Sequence, residues 1–249
     1  MTPSLSGRTA IVTGASAGLG AHIARALAGA GARVGLVARR RERLTRLADD
    51  LPGAVVLAGD LGHPDDVDAI AAEALVQLGS VDILVNNAAC VRVGPAETET
   101  ADDIAQMFAV NVFGLVRLTQ RLVQPMLDRG SGSIVNMTSV AAARGTSSPA
   151  QAAYAASKAS VNALTRHWAA QWGARGIRVN AIAAGLFRSE LTGDSIDTES
   201  VQRWIRRRTI LQRSGEPEDI DGVILLLVGN GSSYVTGQII NVDGGWSTG

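Results

Sequence analysis

Tyr154 and Lys158 stand four residues apart in Tyr154-Ala155-Ala156-Ser157-Lys158. The surrounding stretch carries a helical pattern, so this gap puts both side chains on one face. A free tyrosine, with a pKa near ~10, is a poor base at neutral pH. A nearby ammonium favours the phenolate, so Lys158 is expected to lower the pKa of Tyr154. Together they make an acid/base device for giving a proton to an alkoxide or taking one from an alcohol. The same spacing is common on exposed helices, so the surroundings decide its meaning.

A second chemical element opens the chain. Thr13-Gly14-Ala15-Ser16-Ala17-Gly18-Leu19-Gly20 lies between an apolar strand pattern and a helical run. Gly14 permits a tight turn, Gly18 lets the backbone approach a pyrophosphate, and Gly20 lets helix and strand pack closely. Backbone N–H groups at the helix start, around Leu19, then face an anion. The context, strand then turn then helix, is what a dinucleotide site requires. Enzymes preferring NAD usually carry an acidic side chain at the end of the second strand. Here the chain reads Val37-Ala38-Arg39-Arg40-Arg41. A guanidinium at Arg39 suits the 2′-phosphate of NADP, which a carboxylate would repel. Ser16 could add a hydroxyl to the same phosphate, while Arg40 and Arg41 read as solvated charges. The expected cofactor is NADP(H) in preference to NAD.

These residues need elements to position them. Strand patterns cover Thr9–Val12, Arg33–Val37, Ala54–Leu57, Ile83–Val85, Ser133–Met137, Arg178–Ile182 and Gln238–Val242. Helical patterns cover Gly18–Ala28, Arg41–Asp50, Pro64–Leu78, Ala101–Leu127, Gln151–Arg175 and Glu216–Val228. Alternation of this kind, with continuously apolar strands, predicts a Rossmann-like, doubly wound parallel sheet in a three-layer α/β/α arrangement. The expectation is a single catalytic domain over residues 1–249. The long irregular segment Leu186–Arg213 is too long for a connector and reads as a binding segment.

With 249 residues and 46% hydrophobic content there is ample core for one such domain. Charges balance, 23 basic against 23 acidic, which points to neither a nucleic acid nor a charged membrane as partner. The first residues lack the apolar core of a signal peptide, and no apolar run reaches the ~18 residues of a membrane span. Cys90 is the lone cysteine, so a reducing cytoplasm is the expected compartment. His22, His63 and His167 are scattered, so no metal is expected.

The ordered motifs resemble the short-chain dehydrogenase/reductase family from about Gly7 to Trp246. The T-G-x-x-x-G-x-G turn is the family's, and Asp60-Leu61 looks like its adenine-contacting pair. Asn86-Asn87-Ala88-Ala89 resembles N-N-A-G with alanine for the last glycine. Asn111, in Val110-Asn111-Val112-Phe113-Gly114, is similar to its active-site asparagine; Ser139, Tyr154 and Lys158 match its serine-tyrosine-lysine set. Arg178-Val179-Asn180-Ala181-Ile182-Ala183-Ala184-Gly185 resembles R-V-N-x-I-x-P-G, with Ala184 replacing proline. Where many NADP-preferring relatives carry a basic residue, this chain has Ala17.

The resemblance implies roles. Tyr154 is the acid/base, Ser139 orients and polarises the carbonyl oxygen, and Lys158 also binds the nicotinamide ribose. Asn111 fixes local helix geometry and holds a water that links Lys158 to solvent. Asn87 and Ala88 fall in the cofactor set, Gly185 and Leu186 offer backbone contacts to nicotinamide, and Ser189 offers a hydroxyl to the carboxamide. Ser139 precedes Tyr154 by fifteen residues, two more than usual, which should reshape the pocket through the Arg144–Ala150 loop. The segment 186–213 resembles a lid, and relatives are commonly homotetramers, with homodimers as the alternative. Within that lid Val201, Trp204 and Ile205 form an apolar stripe, with Ser200 as N-cap. This arrangement favours an uncharged substrate with a hydrophobic arm. Inward-turned arginines binding a carboxylate or phosphate are the competing arrangement.

The expected activity is reduction of a ketone or oxidation of a secondary alcohol, of the class EC 1.1.1.-. Alternatives are 3-oxoacyl-(acyl-carrier-protein) reductase and sugar-acid or polyol dehydrogenase. Enoyl reduction is disfavoured, because those relatives stretch the tyrosine-lysine gap. A silent NADPH-binding regulator would show a damaged serine, tyrosine or lysine, and none is damaged.

Overall fold

The computed structural model describes residues 4–145, 150–188 and 193–248. Among them are the strands β1 (Thr9–Thr13), β2 (Arg33–Ala38), β3 (Val55–Ala58), β4 (Ile83–Asn86), β5 (Gly132–Ser139), β6 (Ile177–Ala184) and β7 (Ile239–Val242). They form one parallel sheet in the order β3-β2-β1-β4-β5-β6-β7. The central strand β1 is apolar without alternation because both its faces are covered: Ala10, Ile11 and Val12 are all 0% exposed.

The helices are α1 (Gly18–Gly29), α2 (Arg41–Asp49), α3 (Pro64–Leu78), α4 (Ala101–Phe108), α5 (Leu115–Arg129), α6 (Ala152–Trp172), α7 (Glu199–Arg208) and α8 (Asp221–Val228), and all but α4 and α7 supply the covers. On one face Ile11, Leu84 and Ile134 pack with Val67 of α3, Leu118 of α5 and Val161 of α6. On the other Val12, Val85 and Val135 pack with Ile23 of α1, Leu44 of α2 and Ile224 of α8. Strand order reverses between β1 and β4, so a crevice opens at their carboxyl ends, where ligands bind in such sheets.

Several boundaries depart from the sequence pattern. The run expected over 101–127 is broken by a π-helical stretch, Ala109–Gly114, between α4 and α5. Tertiary contacts override the pattern there. A Cβ on Gly114 would lie 2.0 Å from the Leu61 carbonyl oxygen, so only glycine lets the chain after β3 approach. β5 runs two residues past Met137, pairing with β6 from Gly132↔Ile177 to Ser139↔Ala184. That register sets Ser139 beside the approach to Gly185. In the 186–213 segment, α7 begins at Glu199 with Thr198 rather than Ser200 at its N-cap.

Candidate active site

The glycine turn forms the first wall. Gly14 (φ +70) and Gly18 (φ +55) occupy left-handed conformations that favour glycine. A Cβ on Gly20 would sit 2.2 Å from the Gly14 carbonyl oxygen and 2.5 Å from Asn87 Nδ2. Asn87 needs that space: its Nδ2 donates to the Thr13 carbonyl at 2.8 Å. The N–H groups of Asn87 and Ala88 both donate to Thr13 Oγ1 at 2.9 Å. The ends of β1 and β4 are thereby locked together under the turn.

At the far end of this wall, Arg40 donates to Ser16 Oγ from Nη2 (2.9 Å) and Nε (3.2 Å). Arg40 is therefore not the plain solvated charge that its position before α2 suggests. Arg39 extends along the cleft to Asp60, Nη1 to Oδ2 3.5 Å, with its side chain 71% exposed. Asp60 is held in turn, its Oδ1 accepting from Gly62 N–H (2.9 Å) and its own N–H donating to Asp66 Oδ2 (2.8 Å).

The second wall carries the proton-transfer groups. Ser139 ends β5 and lines the cleft beside Tyr154, near enough to stabilise its phenolate. One turn along α6, Lys158 is 2% exposed and donates from Nζ to the Met137 carbonyl at 2.9 Å. Its Nζ lies 5.8 Å from the centre of the Tyr154 ring. Burial pulls the Lys158 ammonium down to about 8. Burial also pushes the Tyr154 phenol above its usual 10.0, with the nearby Ser139 hydroxyl opposing. This reverses the expected depression of Tyr154: desolvation dominates, and the lysine itself holds its proton less firmly.

Asn111 lies behind the wall, fully buried. Its Oδ1 accepts from Cys90 N–H (2.7 Å), and its Nδ2 donates to the Cys90 carbonyl (2.8 Å) and to Ser157 Oγ (2.9 Å). Ser157 donates onward to the Tyr154 carbonyl at 2.7 Å. The side chain thus clamps the chain after β4 to the turn of α6 that bears Tyr154. Ser157, a bridging residue the motif reading passed over, was signalled only by its place between tyrosine and lysine.

These walls enclose a cleft of about 1310 Å³, larger than the ~300–1,000 Å³ of ordinary small-molecule pockets. It is lined from Gly14, Ser16, Gly18, Leu19 and Gly20, past Arg39, Arg40, Asp60 and Leu61, to Asn87 and Ala88. It continues to Ser139, Tyr154, Lys158, Gly185 and Leu186. Ser189 lies outside the described residues. Val201 and Trp204 of α7 line the mouth, whereas Ile205 is buried at 0% exposure. Arg203 pairs with Glu199 at 2.7 Å, and Arg206 and Arg207 are exposed. Among the described residues no three His, Cys, Asp or Glu side chains gather as for a metal, and no helix is long and apolar enough to cross a membrane.

Comparison with known proteins agrees with this geometry. A family model described as enoyl-(acyl carrier protein) reductase matches residues 14–247. The chain is 39% identical to galactitol 2-dehydrogenase (L-tagatose-forming) of Cereibacter sphaeroides, covering 98% of this chain and 96% of that one. It is 36% identical to a 3-oxoacyl-(acyl-carrier-protein) reductase of Thermotoga maritima, covering 97% and 98%. A solved gluconate 5-dehydrogenase from Burkholderia cenocepacia, in complex with NADP and tartrate, superposes with a TM-score of 0.92 at 33% identity, covering 99% and 97%. With turn, cleft and relatives in agreement, the chain belongs to the short-chain dehydrogenase/reductase family, oxidoreductases that exchange hydride between a nicotinamide dinucleotide and a carbonyl or alcohol carbon.

Proposed function

We propose that this protein interconverts a ketone and a secondary alcohol with NADP(H), using Tyr154 as acid/base, Ser139 as orienting group and Lys158 as cofactor anchor. The observation that carries this reading is the meeting of Ser139, Tyr154 and a buried Lys158 at one wall of the cleft that the glycine turn opens. The residues fit a dinucleotide. The floor at Gly14 and Gly20 admits no Cβ, and the cleft has room for cofactor and substrate together. Gly14, Gly18 and Leu19 would meet the pyrophosphate, Asp60 and Leu61 the adenine, and Lys158, Gly185, Leu186 and Ser189 the nicotinamide end.

When bound, the nicotinamide supplies or accepts the hydride. Ser139 holds the substrate oxygen within reach of Tyr154. In reduction the phenol gives its proton to the oxygen as negative charge develops there; in oxidation the phenolate takes that proton back. A phenol held above its usual pKa is neutral at pH 7 and so stands ready as a donor. Asn111 spends its side chain on Cys90 and Ser157, so a water ascribed to it would be held by its main chain.

Ser16, Arg39 and Arg40 together favour a 2′-phosphate. NADPH should bind at least tenfold more tightly than NADH, about 1.4 kcal/mol, and equal affinities would refute the preference. The four-residue tyrosine-lysine gap supports carbonyl chemistry over reduction of an enoyl double bond. Candidate substrates follow the relatives: polyols and sugar acids, or 3-oxoacyl thioesters. NADPH oxidation against simple ketones, sugar-derived carbonyls and oxoacyl thioesters tests the reading. No turnover across the panel, in either direction, would overturn it. The same reading places one catalytic domain over 1–249, with 186–213 as lid, in a cytoplasmic homotetramer.

A further inference from the structure

We infer that the substrate carries a carboxylate and that Arg144 binds it, an inference resting on the oxidoreductase reading of the cleft. Ser139 and Arg144 belong to one chain segment, which leaves β5, makes a short turn over Val140–Ala142 and returns to the cleft wall. Arg144 Nη1 donates to the Trp246 carbonyl at 3.0 Å, and Trp246 meets Trp204 of α7 edge to face, ring centres 5.1 Å apart. Three segments distant in sequence therefore meet at the mouth and hold a guanidinium there. One bond to a neutral carbonyl leaves its charge uncompensated; among the described residues Arg144 has no carboxylate partner. Arg92, the other arginine at this end of the cleft, differs. It is balanced by Asp103 at 3.1 Å and bonded to Gln106 at 2.9 Å.

The single carboxylate in the described cleft lining is Asp60, which lies at the opposite, adenine end. Outside the mouth, α7 carries Arg203, Arg206, Arg207 and Arg208 against Glu199, in a chain of zero net charge. Such an asymmetry raises the local concentration of anions and steers them inward. A guanidinium with donors to spare matches a carboxylate in fork geometry. The cation is thus on the loop that bears two extra residues, not on the lid arginines.

The test uses matched pairs with the full-length enzyme: D-gluconate against D-glucitol with NADP+, and a 3-oxo acid against its methyl ester with NADPH. Wild type should favour the acid of a pair at least tenfold in kcat/KM, chiefly through KM, and the preference should weaken as ionic strength rises. Arg144→Gln keeps a donor for the Trp246 carbonyl but removes the charge, and should erase the preference; Arg144→Lys should restore part of it. Neutral members as good as their acids, or an acid preference unchanged in Arg144→Gln, would overturn the assignment while leaving hydride transfer intact. Preference for an oxoacyl group on an acidic carrier protein over every small acid would also overturn it. Absence of turnover for all pairs would overturn the oxidoreductase reading beneath it.

Discussion

The two ends of the second wall are built by different means. Around Tyr154 the polar groups are buried and bonded in series: Cys90 to Asn111, Asn111 to Ser157, Ser157 to the Tyr154 carbonyl, and Lys158 to Met137. In a low-dielectric interior each such bond is costly to break, so the catalytic turn of α6 has one available position. At the mouth, Trp204 leans on Trp246 and Arg144 hangs from a single carbonyl. Trp246 itself is buried, but neither contact belongs to a buried polar network, so loop and helix there can change at smaller cost to stability. Proton transfer is fixed by the buried frame, and substrate choice is delegated to the replaceable rim.

The contrast breaks most sharply at Tyr154. Tyr154→Phe keeps the ring packing and removes the proton, so kcat should fall by ~10² or more with NADPH affinity nearly unchanged in titration. A variant retaining most of its turnover would remove tyrosine from its role. Lys158 tests how much stability the frame gives up for chemistry. Its folded pKa of about 8 lies below the usual 10.5, so the folded protein bears the cost of a buried ammonium below pH 8. Between pH 8 and 10.5 the unfolded chain binds more protons than the folded one, and stability rises with pH. Lys158→Met removes that cost together with the bond to the Met137 carbonyl, so its effect on the fold should be more favourable at pH 7 than at pH 11, while turnover is abolished. Thermal unfolding at both pH values checks this, and an effect no more favourable at pH 7 than at pH 11 would show that the buried ammonium carries no such cost.

The frame was largely legible in the sequence, because strand hydrophobicity and the glycine spacing are local signals. Gly14 and Gly20 stand where a Cβ would clash, Gly18 takes a left-handed conformation, and Tyr154 and Lys158 share a helix face. What escaped depends on distant partners. Nothing local in Ala109–Gly114 announces a π-helical turn, whose Gly114 meets the Leu61 carbonyl and whose Asn111 holds the Cys90 backbone. Arg40 reads as a solvated charge until the glycine turn brings Ser16 beneath it. The direction of the Tyr154 shift escaped too, because spacing shows the neighbour but not the burial of the pair.

The smallest expected effect lies at the rim and sharpens the comparison. Trp204 contributes one edge-to-face aromatic contact, worth ~0.5–1.5 kcal/mol beyond its area burial, and a guanidinium, Arg208, lies 5.4 Å from its ring. Trp204→Ala removes the support of Trp246 without touching Ser139 or Tyr154. Trp246 in turn holds Arg144 through its carbonyl, so the loss should pass to substrate binding and stop there. KM should rise roughly three- to tenfold, kcat should change less than about twofold, and NADPH affinity should stay the same, a split that marks lost ground-state binding. Trp204→Phe, which keeps an aromatic edge, should recover most of the loss. A fall in kcat comparable with that of Tyr154→Phe would mean that the mouth and the catalytic turn move as one unit, and the division between a fixed frame and a replaceable rim would not hold.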